Sequence, residues 1–155
     1  MNKKIHVLDY YCFSSSGKIT YDPKKGKYFE PWWAILECDN EILRYYKWLL
    51  FKEGIAIQKG SAWGAHITWI RGEEPPKKSF WGKYEALEIG FRYSNYLRYD
   101  NGRHVWLDVY CPKCDEMRQE LGLQSLNSMS LHLTIGRLLI ERENIKGLQT
   151  YHYDD

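Results

Sequence analysis

Residues 65–71 have the sequence AHITWIR, and residues 131–137 have the sequence LHLTIGR. Each segment holds a histidine, a threonine two positions later, and apolar residues at the alternating positions. Because side chains alternate across a strand, His66 and Thr68 are predicted to share one face about 7 Å apart, with the apolar residues on the other. His132 and Thr134 repeat this pattern. The chain is therefore predicted to contain two related strands, each with an apolar face and a polar, reactive face.

The segments around these strands predict an α+β fold. Residues 32–38 are predicted to form a strand, followed by a helix that is capped by Asp39 or Asn40, runs to about Lys52 and ends at Gly54. A second helix is predicted to begin at Pro112 and to continue until Gly122.

The other strands are predicted from composition and turn signals. Residues 5–13 are predicted to form a first strand, closed by a turn at the sequence SSSG, residues 14–17. Residues 84–98 and 103–110 are predicted to form a hairpin around residues 100–102, DNG. Because this hairpin interrupts the alternation of strands and helices, we expect largely antiparallel pairing within a single domain, residues 1–155.

The composition limits the classes of function. The net charge of +2 comes from 22 basic and 20 acidic residues, so no general field for binding long nucleic acids is expected. The chain shows neither a signal peptide nor an apolar run long enough to span a membrane, which favours a cytoplasmic protein with reduced cysteines.

A histidine, an apolar residue, a threonine and a second apolar residue, occurring once in each half of a small chain, resemble the motifs of the two-histidine (2H) phosphoesterase superfamily. The two copies are residues 66–69, HITW, and 132–135, HLTI. The resemblance implies a bilobal fold, in which two pseudo-symmetric sheet-and-helix lobes place the motifs on opposite walls of a central groove. It also implies a phosphodiesterase that needs neither metal nor cofactor.

The residue types fit this chemistry. Imidazole has a pKa of about 6.5, so one histidine can accept a proton from the nucleophile while the other donates one to the leaving oxygen. The hydroxyls of Thr68 and Thr134 can donate hydrogen bonds to the nonbridging phosphate oxygens. The repeat makes His66 and His132 nearly equivalent, so the sequence leaves open which is the acid and which the base.

The small size and the aromatic content, seven Trp and 13 Tyr, resemble the phage anti-CBASS phosphodiesterases. These enzymes linearise cyclic oligonucleotide messengers such as 3′,3′-cyclic GMP-AMP in the bacterial cytoplasm. We expect Tyr11, Arg71 and Trp81 to bind such a substrate, with Trp81 on a possible lid, residues 72–82. RNA ends with 2′,3′-cyclic phosphates and 2′-5′ oligonucleotides are alternative substrates.

Two functions of other classes stay open. Residues 111–114, CPKC, have the spacing of a redox dithiol or half of a zinc knuckle, although thiols without a functional role are the expected outcome. The further zinc ligands that the chain could offer are Cys12, Cys38, His104, His6 and His152. A noncatalytic nucleotide-binding module would use the His-Thr pairs only to hold phosphate. Self-association through Tyr151 and Tyr153 is a further possibility.

Overall fold

The computed structural model describes residues 7–58, 63–100, 104–126 and 131–139. The helices are α1 (Val7–Tyr10), α2 (Asn40–Lys52) and α3 (Pro112–Glu120), with one 3₁₀ turn at Lys78–Phe80. The strands are β1 (Phe13–Tyr21), β2 (Trp33–Cys38), β3 (His66–Arg71), β4 (Glu88–Tyr93), β5 (Arg98–Tyr99), β6 (His104–Tyr110) and β7 (Leu131–Arg137). No helix of these described ranges is long and apolar enough to cross a membrane.

The strands form one antiparallel sheet that closes on itself. Its order is β4-β1-β2-β3-β7-β6-β5, and a further pairing between β4 and β6 joins six of the strands into a ring. Strand β5 pairs with β6 beside this ring, as the predicted hairpin requires. The prediction of an α+β fold with antiparallel pairing is confirmed at this level.

The connectivity repeats within the ring. If β1 is exchanged with β4, β2 with β6 and β3 with β7, the order of the strands around the ring is unchanged. Helix α2 joins β2 to β3, and α3 joins β6 to β7 in the same way. The repetition seen in two short motifs therefore extends to the strands and helices that support them.

A β-bulge occurs at the same place in each half. Ala34 and Ile35 of β2 pair with Ile70 and Thr68, so Trp69 is the extra residue of β3. In the other half, Val105 and Trp106 of β6 pair with Gly136 and Thr134, which leaves Ile135 as the extra residue of β7. Each motif strand thus has its irregularity directly after the threonine.

One hydrophobic cluster joins the two halves. Ile67 of β3 and Leu133 of β7 are both fully buried in it. Leu50 of α2 and Met117 of α3 belong to the same cluster, since each helix turns its apolar side to the sheet. The apolar faces of both motif strands therefore point into the core, and their polar faces point away from it.

The N-terminal prediction is wrong. The described part of the expected first strand holds helix α1, and the SSSG sequence lies within β1 rather than in a turn. Gly17 permits this, because a Cβ there would lie 3.0 Å from the Cβ of Leu36 on the paired strand β2. The exposed Ser16 hydroxyl donates a hydrogen bond to Glu88 on the other neighbour, β4 (2.6 Å). Serine and glycine, which usually indicate a turn, occur here within a strand because of its close packing against the neighbouring strands.

The other predicted elements agree closely with the structure. Asp39 caps α2, and its carboxylate accepts a hydrogen bond from the Glu41 backbone N–H. The predicted strand at residues 84–98 is split into β4 and β5. Directly after β4, the buried Ser94 still donates its N–H to the Asp108 carbonyl of β6 (3.0 Å), and the chain rejoins the sheet at Arg98.

Candidate active site

The two motif strands are neighbours in the ring. They pair antiparallel through Ile67 and Leu133, whose side chains point into the core. One residue to either side, this register sets His66 opposite Thr134 and Thr68 opposite His132 on the outer face. Directly opposed residues have Cβ atoms about 4.5–5.5 Å apart, and diagonal ones about 7–8 Å. The two histidines therefore take diagonal positions, each with a threonine from the other half directly across from it.

The flanking strands extend this arrangement into two rows. On β2, Glu37 pairs with His66 and Ile35 with Thr68. On β6, Asp108 pairs with His132 and Trp106 with Thr134. Each histidine therefore has an acidic residue beside it on the neighbouring strand of its own half.

The loop before β3 fixes the tautomer of His66. The ring nitrogen Nδ1 lies 2.9 Å from the Gly64 carbonyl oxygen, which can only accept, so Nδ1 carries a proton and donates it. Asn40 braces this loop by accepting a hydrogen bond from the Ala65 backbone N–H (2.8 Å). Gly64 has a φ of 66°, and a Cβ there would lie 2.6 Å from the Asn40 side-chain oxygen, so only glycine fits. In the neutral ring the acceptor nitrogen is consequently Nε2.

Trp33 orients the first histidine-threonine pair. Its indole N–H donates to the Thr68 hydroxyl oxygen (3.1 Å), and its ring centre lies 6.1 Å from that of His66. Trp33 is only 2% exposed, so this hydrogen bond is shielded from solvent. Because Thr68 accepts from the indole, its own hydroxyl proton can be donated to a bound ligand.

Asp108 organises the second half of the site. This buried carboxylate accepts hydrogen bonds from the hydroxyl of Tyr10 (2.6 Å), from Arg98 (3.0 Å) and from the indole of Trp106 (3.1 Å). Burial and the neighbouring carboxylate together raise the pKa of the Tyr10 hydroxyl well above its usual value. The Trp106 ring lies 6.3 Å from that of His132, so each histidine has an indole close by.

A cleft of about 570 Å³ opens at the second half of the site. Its walls are formed by Arg71, Arg98, Asp100, His104, Trp106, Asp108, His132 and Thr134. Arg71, one of the residues expected to bind substrate, lines this cleft together with His132 and Thr134. Arg71 donates to both carboxylate oxygens of Glu30 (2.8 and 3.0 Å), and this hydrogen bonding lowers the pKa of Glu30. Arg98 is likewise paired with Asp108, so both arginines of the cleft are matched by carboxylates.

Tyr11 and Trp81 lie outside this cleft, contrary to the sequence-based expectation. Tyr11 is 4% exposed, with its ring packed against Tyr10, so it offers no face for a base to stack on. Trp81 donates its indole N–H to Asp22 (2.9 Å), and its ring packs against Trp32. Both rings are therefore part of the packing of the fold.

The expected lid, residues 72–82, packs against α3 and the residue that follows it. Glu73 receives two hydrogen bonds from the buried guanidinium of Arg118 (2.5 and 3.0 Å), which lower the pKa of this carboxyl group. The Lys77 backbone N–H donates to the Leu121 carbonyl (3.0 Å). These contacts account for the position of the loop beside α3 and away from the cleft.

Comparisons with models of protein families, with curated proteins and with solved structures give no match for this chain. Function must therefore be argued from the site itself.

Both cysteines of the CPKC segment are buried at the start of α3. Cys114 donates its S–H to the sulfur of Cys111 (3.3 Å), which lowers the pKa of Cys111 and raises that of Cys114. Within the described ranges, no group of three or more His, Cys, Asp or Glu side chains is placed to hold a metal ion. Of the further zinc ligands considered, His6 and His152 lie outside the described residues, as do Tyr151 and Tyr153.

Sequence reasoning missed several members of the site, among them Trp33, Arg98 and Asp108. Asp108 carried a usable signal, since an acidic residue interrupts the apolar strand VWLDVY, residues 105–110. Glu37 interrupts the strand WAILEC, residues 33–38, in the same way. A buried charge such as that of Asp108 needs a partner, and that requirement points to a site. Glu37 is exposed, so in its case only the sequence pattern is the same.

Proposed function

We propose that this protein is a metal-independent phosphodiesterase of the 2H type. It cleaves 3′-5′ linkages of cyclic oligonucleotide messengers to linear products and thereby removes the signal on which bacterial CBASS immunity depends. The observation that supports this best is the pairing of β3 with β7, which sets His66 across from Thr134 and His132 across from Thr68. Two imidazoles and two hydroxyls then surround one position where a phosphate can sit.

His66 is the general base in this scheme. Its Nδ1–H is held by the Gly64 carbonyl, so the neutral ring presents Nε2 as the acceptor. Nε2 takes the proton from the substrate's 2′-hydroxyl, and the 2′ oxygen attacks the adjacent phosphorus. The bond from phosphorus to the 5′ oxygen breaks, which gives a 2′,3′-cyclic phosphate and a 5′ alkoxide.

His132 is the general acid and protonates this leaving oxygen. An imidazolium at this position lies beside Asp108 on the neighbouring strand, and the carboxylate complements its charge. Thr68 and Thr134 donate to the nonbridging oxygens, where negative charge accumulates in the transition state. Water can then open the cyclic phosphate with the two histidines in exchanged roles.

The bilobal arrangement belongs to this proposal. The two strand-strand-helix-strand halves would form the lobes, and the cleft of about 570 Å³ would be part of the groove between them. Ligand pockets typically measure about 300–1,000 Å³, so the cleft is large enough for a nucleotide at the scissile phosphate.

The decisive experiment compares two leaving groups. Wild type, His66→Ala and His132→Ala are assayed in excess EDTA with 3′,3′-cyclic GMP-AMP and with uridine 3′-(4-nitrophenyl phosphate), whose nitrophenolate leaves without protonation. Each variant should lose about 10²–10⁴ in rate on the cyclic dinucleotide. On the nitrophenyl ester His132→Ala should recover most of its activity, whereas His66→Ala should not.

Circular dichroism of both variants controls for folding. Loss of wild-type cleavage in EDTA would contradict the metal-free mechanism. Tight binding of the cyclic dinucleotide without turnover of either substrate would favour a noncatalytic nucleotide-binding module instead.

A further inference from the structure

A second cleft, of about 400 Å³, lies at the first half of the site. The internal repeat relates the second cleft to the first. Asp108, which pairs with His132, lines the first cleft. Glu37, which pairs with His66 at the matching position, lines the second. The other residues that matter for its chemistry are Thr20, Lys24, Lys25, Asn40 and Trp63. The two halves of the fold therefore each provide a cleft next to a histidine.

Aromatic contacts connect this second cleft to His66. The ring of Trp63, in the cleft wall, lies 4.9 Å from that of Trp33, and Trp33 lies 6.1 Å from His66. The ring of Tyr28 also lies 5.9 Å from that of Trp63, which remains half-buried. An indole held in this way offers a surface on which a nucleobase can stack.

The charge of the second cleft suits a phosphate. Lys24 and Lys25 are both exposed and contribute two ammonium groups to its wall, against the single carboxylate of Glu37. Thr20 and Asn40 add a hydroxyl and an amide. In the first cleft, by contrast, each arginine is matched by a carboxylate.

The spacing of the clefts fits a ligand with two nucleotides. The first cleft has residues from β6 and β7, and the second has residues from β1 and β2. Neighbouring strands lie about 4.8 Å apart, so the path along the curved sheet from β2 to β6 is about 14 Å, with both histidines between them. A small molecule with two bases on one ring can reach both sides.

We propose that the second cleft binds the far half of a cyclic dinucleotide, with one base against Trp63 and the phosphate that is not cleaved beside Lys24 and Lys25. This inference rests on the proposed function and narrows its substrate class. A two-fold ring such as 3′,3′-cyclic GMP-AMP places one nucleotide in each cleft and one phosphate over the paired histidines. A 2′,3′-cyclic phosphate at an RNA end carries a single nucleotide at the reacting phosphorus and fills one cleft.

The test compares a two-cleft with a one-cleft substrate. The double variant Lys24→Ala, Lys25→Ala and the single variant Trp63→Leu are assayed with 3′,3′-cyclic GMP-AMP and with uridine 3′-(4-nitrophenyl phosphate). Both should lower kcat/KM for the cyclic dinucleotide by about 10-fold, mainly through KM. The double lysine variant should leave the nitrophenyl ester unchanged, whereas Trp63→Leu, which also removes a contact to Trp33, should lower kcat/KM for the ester by less than for the cyclic dinucleotide. The control double variant Lys27→Ala, Lys77→Ala removes the same charge from exposed positions outside both clefts.

Three results would overturn the inference. The first is an equal kcat/KM for the cyclic dinucleotide in the Lys24, Lys25 variant and in its control. The second is an equal loss on both substrates, since the cleft would then belong to the reacting half. The third is a wild type that cleaves the ester but spares the cyclic dinucleotide. If wild type cleaves neither substrate, the proposed phosphodiesterase itself fails, which is a separate result.

Discussion

Substituting Thr68 by Val separates two roles that the structure gives to a single hydroxyl group. Thr68 accepts the indole hydrogen bond of the buried Trp33, and in the proposed reaction it donates to a phosphate oxygen. Thr134 holds the matching position in the other half but lies exposed, where its hydroxyl can be solvated. Thr68 and Thr134 therefore supply a matched comparison, because they have the same proposed role in the reaction but differ in burial.

The expected sizes follow from these surroundings. Valine leaves the Trp33 N–H buried without an acceptor, which costs about 1–3 kcal/mol of the free energy of unfolding. A chain of this length loses about 2–4 °C in Tm for each kcal/mol. Removing one hydrogen bond to the transition state lowers kcat by about 10²–10³. Thr134→Val should show the same loss of kcat with a Tm close to that of wild type.

Thermal denaturation and steady-state cleavage of 3′,3′-cyclic GMP-AMP measure the two effects separately. Thr68→Ser keeps the hydroxyl and should retain most of both properties. If Thr68→Val and Thr134→Val lower Tm by the same amount, the Trp33 hydrogen bond has no special role in stability. If either valine variant keeps full kcat, the threonines do not act as oxyanion donors.

Three further outcomes are expected. The ion pair with Arg118 lowers the pKa of Glu73, so it stabilises the fold at a pH above the usual carboxyl pKa and is lost as the pH falls through the lowered pKa. The Tm difference between wild type and Glu73→Gln should therefore shrink from pH 7 to pH 3, and a constant difference would contradict the ion pair. Ellman's reagent should react fast with Cys12 alone in the native protein, because Cys111 and Cys114 are buried and desolvation raises the pKa of the half-buried Cys38 to about 12; a second fast thiol would refute this reasoning. Trp81→Ala should lower Tm and leave KM for the cyclic dinucleotide unchanged, while a raised KM would restore the lid hypothesis.

The local elements were predictable because their signals are local. Alternation of apolar and polar residues identified both motif strands, and Asp39 with Gly54 bounded α2 closely. The same reasoning failed at residues 14–17, where serine and glycine occur in β1 for reasons set by the strands on either side. Turn propensity is a weak guide where the neighbours of a strand determine which side chains fit.

The assembly of the site was only partly predictable, because it depends on pairing between distant segments. The repeat indicated that His66 and His132 meet, but nothing in the sequence gave the register of β3 against β7. The partners Trp33 and Asp108 come from β2 and β6. The sequence marks Asp108 as an acidic residue in an apolar strand, but it does not show which segment either residue contacts. Aromatic content was a poor guide to binding residues, since Tyr11 serves the core.

The bulge after each threonine explains how an arginine of β3 reaches the cleft. His66 and Thr68 lie on the outer face, and strict alternation would turn the side chain of Arg71 inward. Trp69, the extra residue, and Ile70 are instead both buried, so the alternation shifts by one and Arg71 emerges on the outer face. The β7 bulge at Ile135 exposes Arg137 by the same shift. A bulge that re-aims a side chain in this way is common beside active sites, and here the irregularity recurs with the motif it serves.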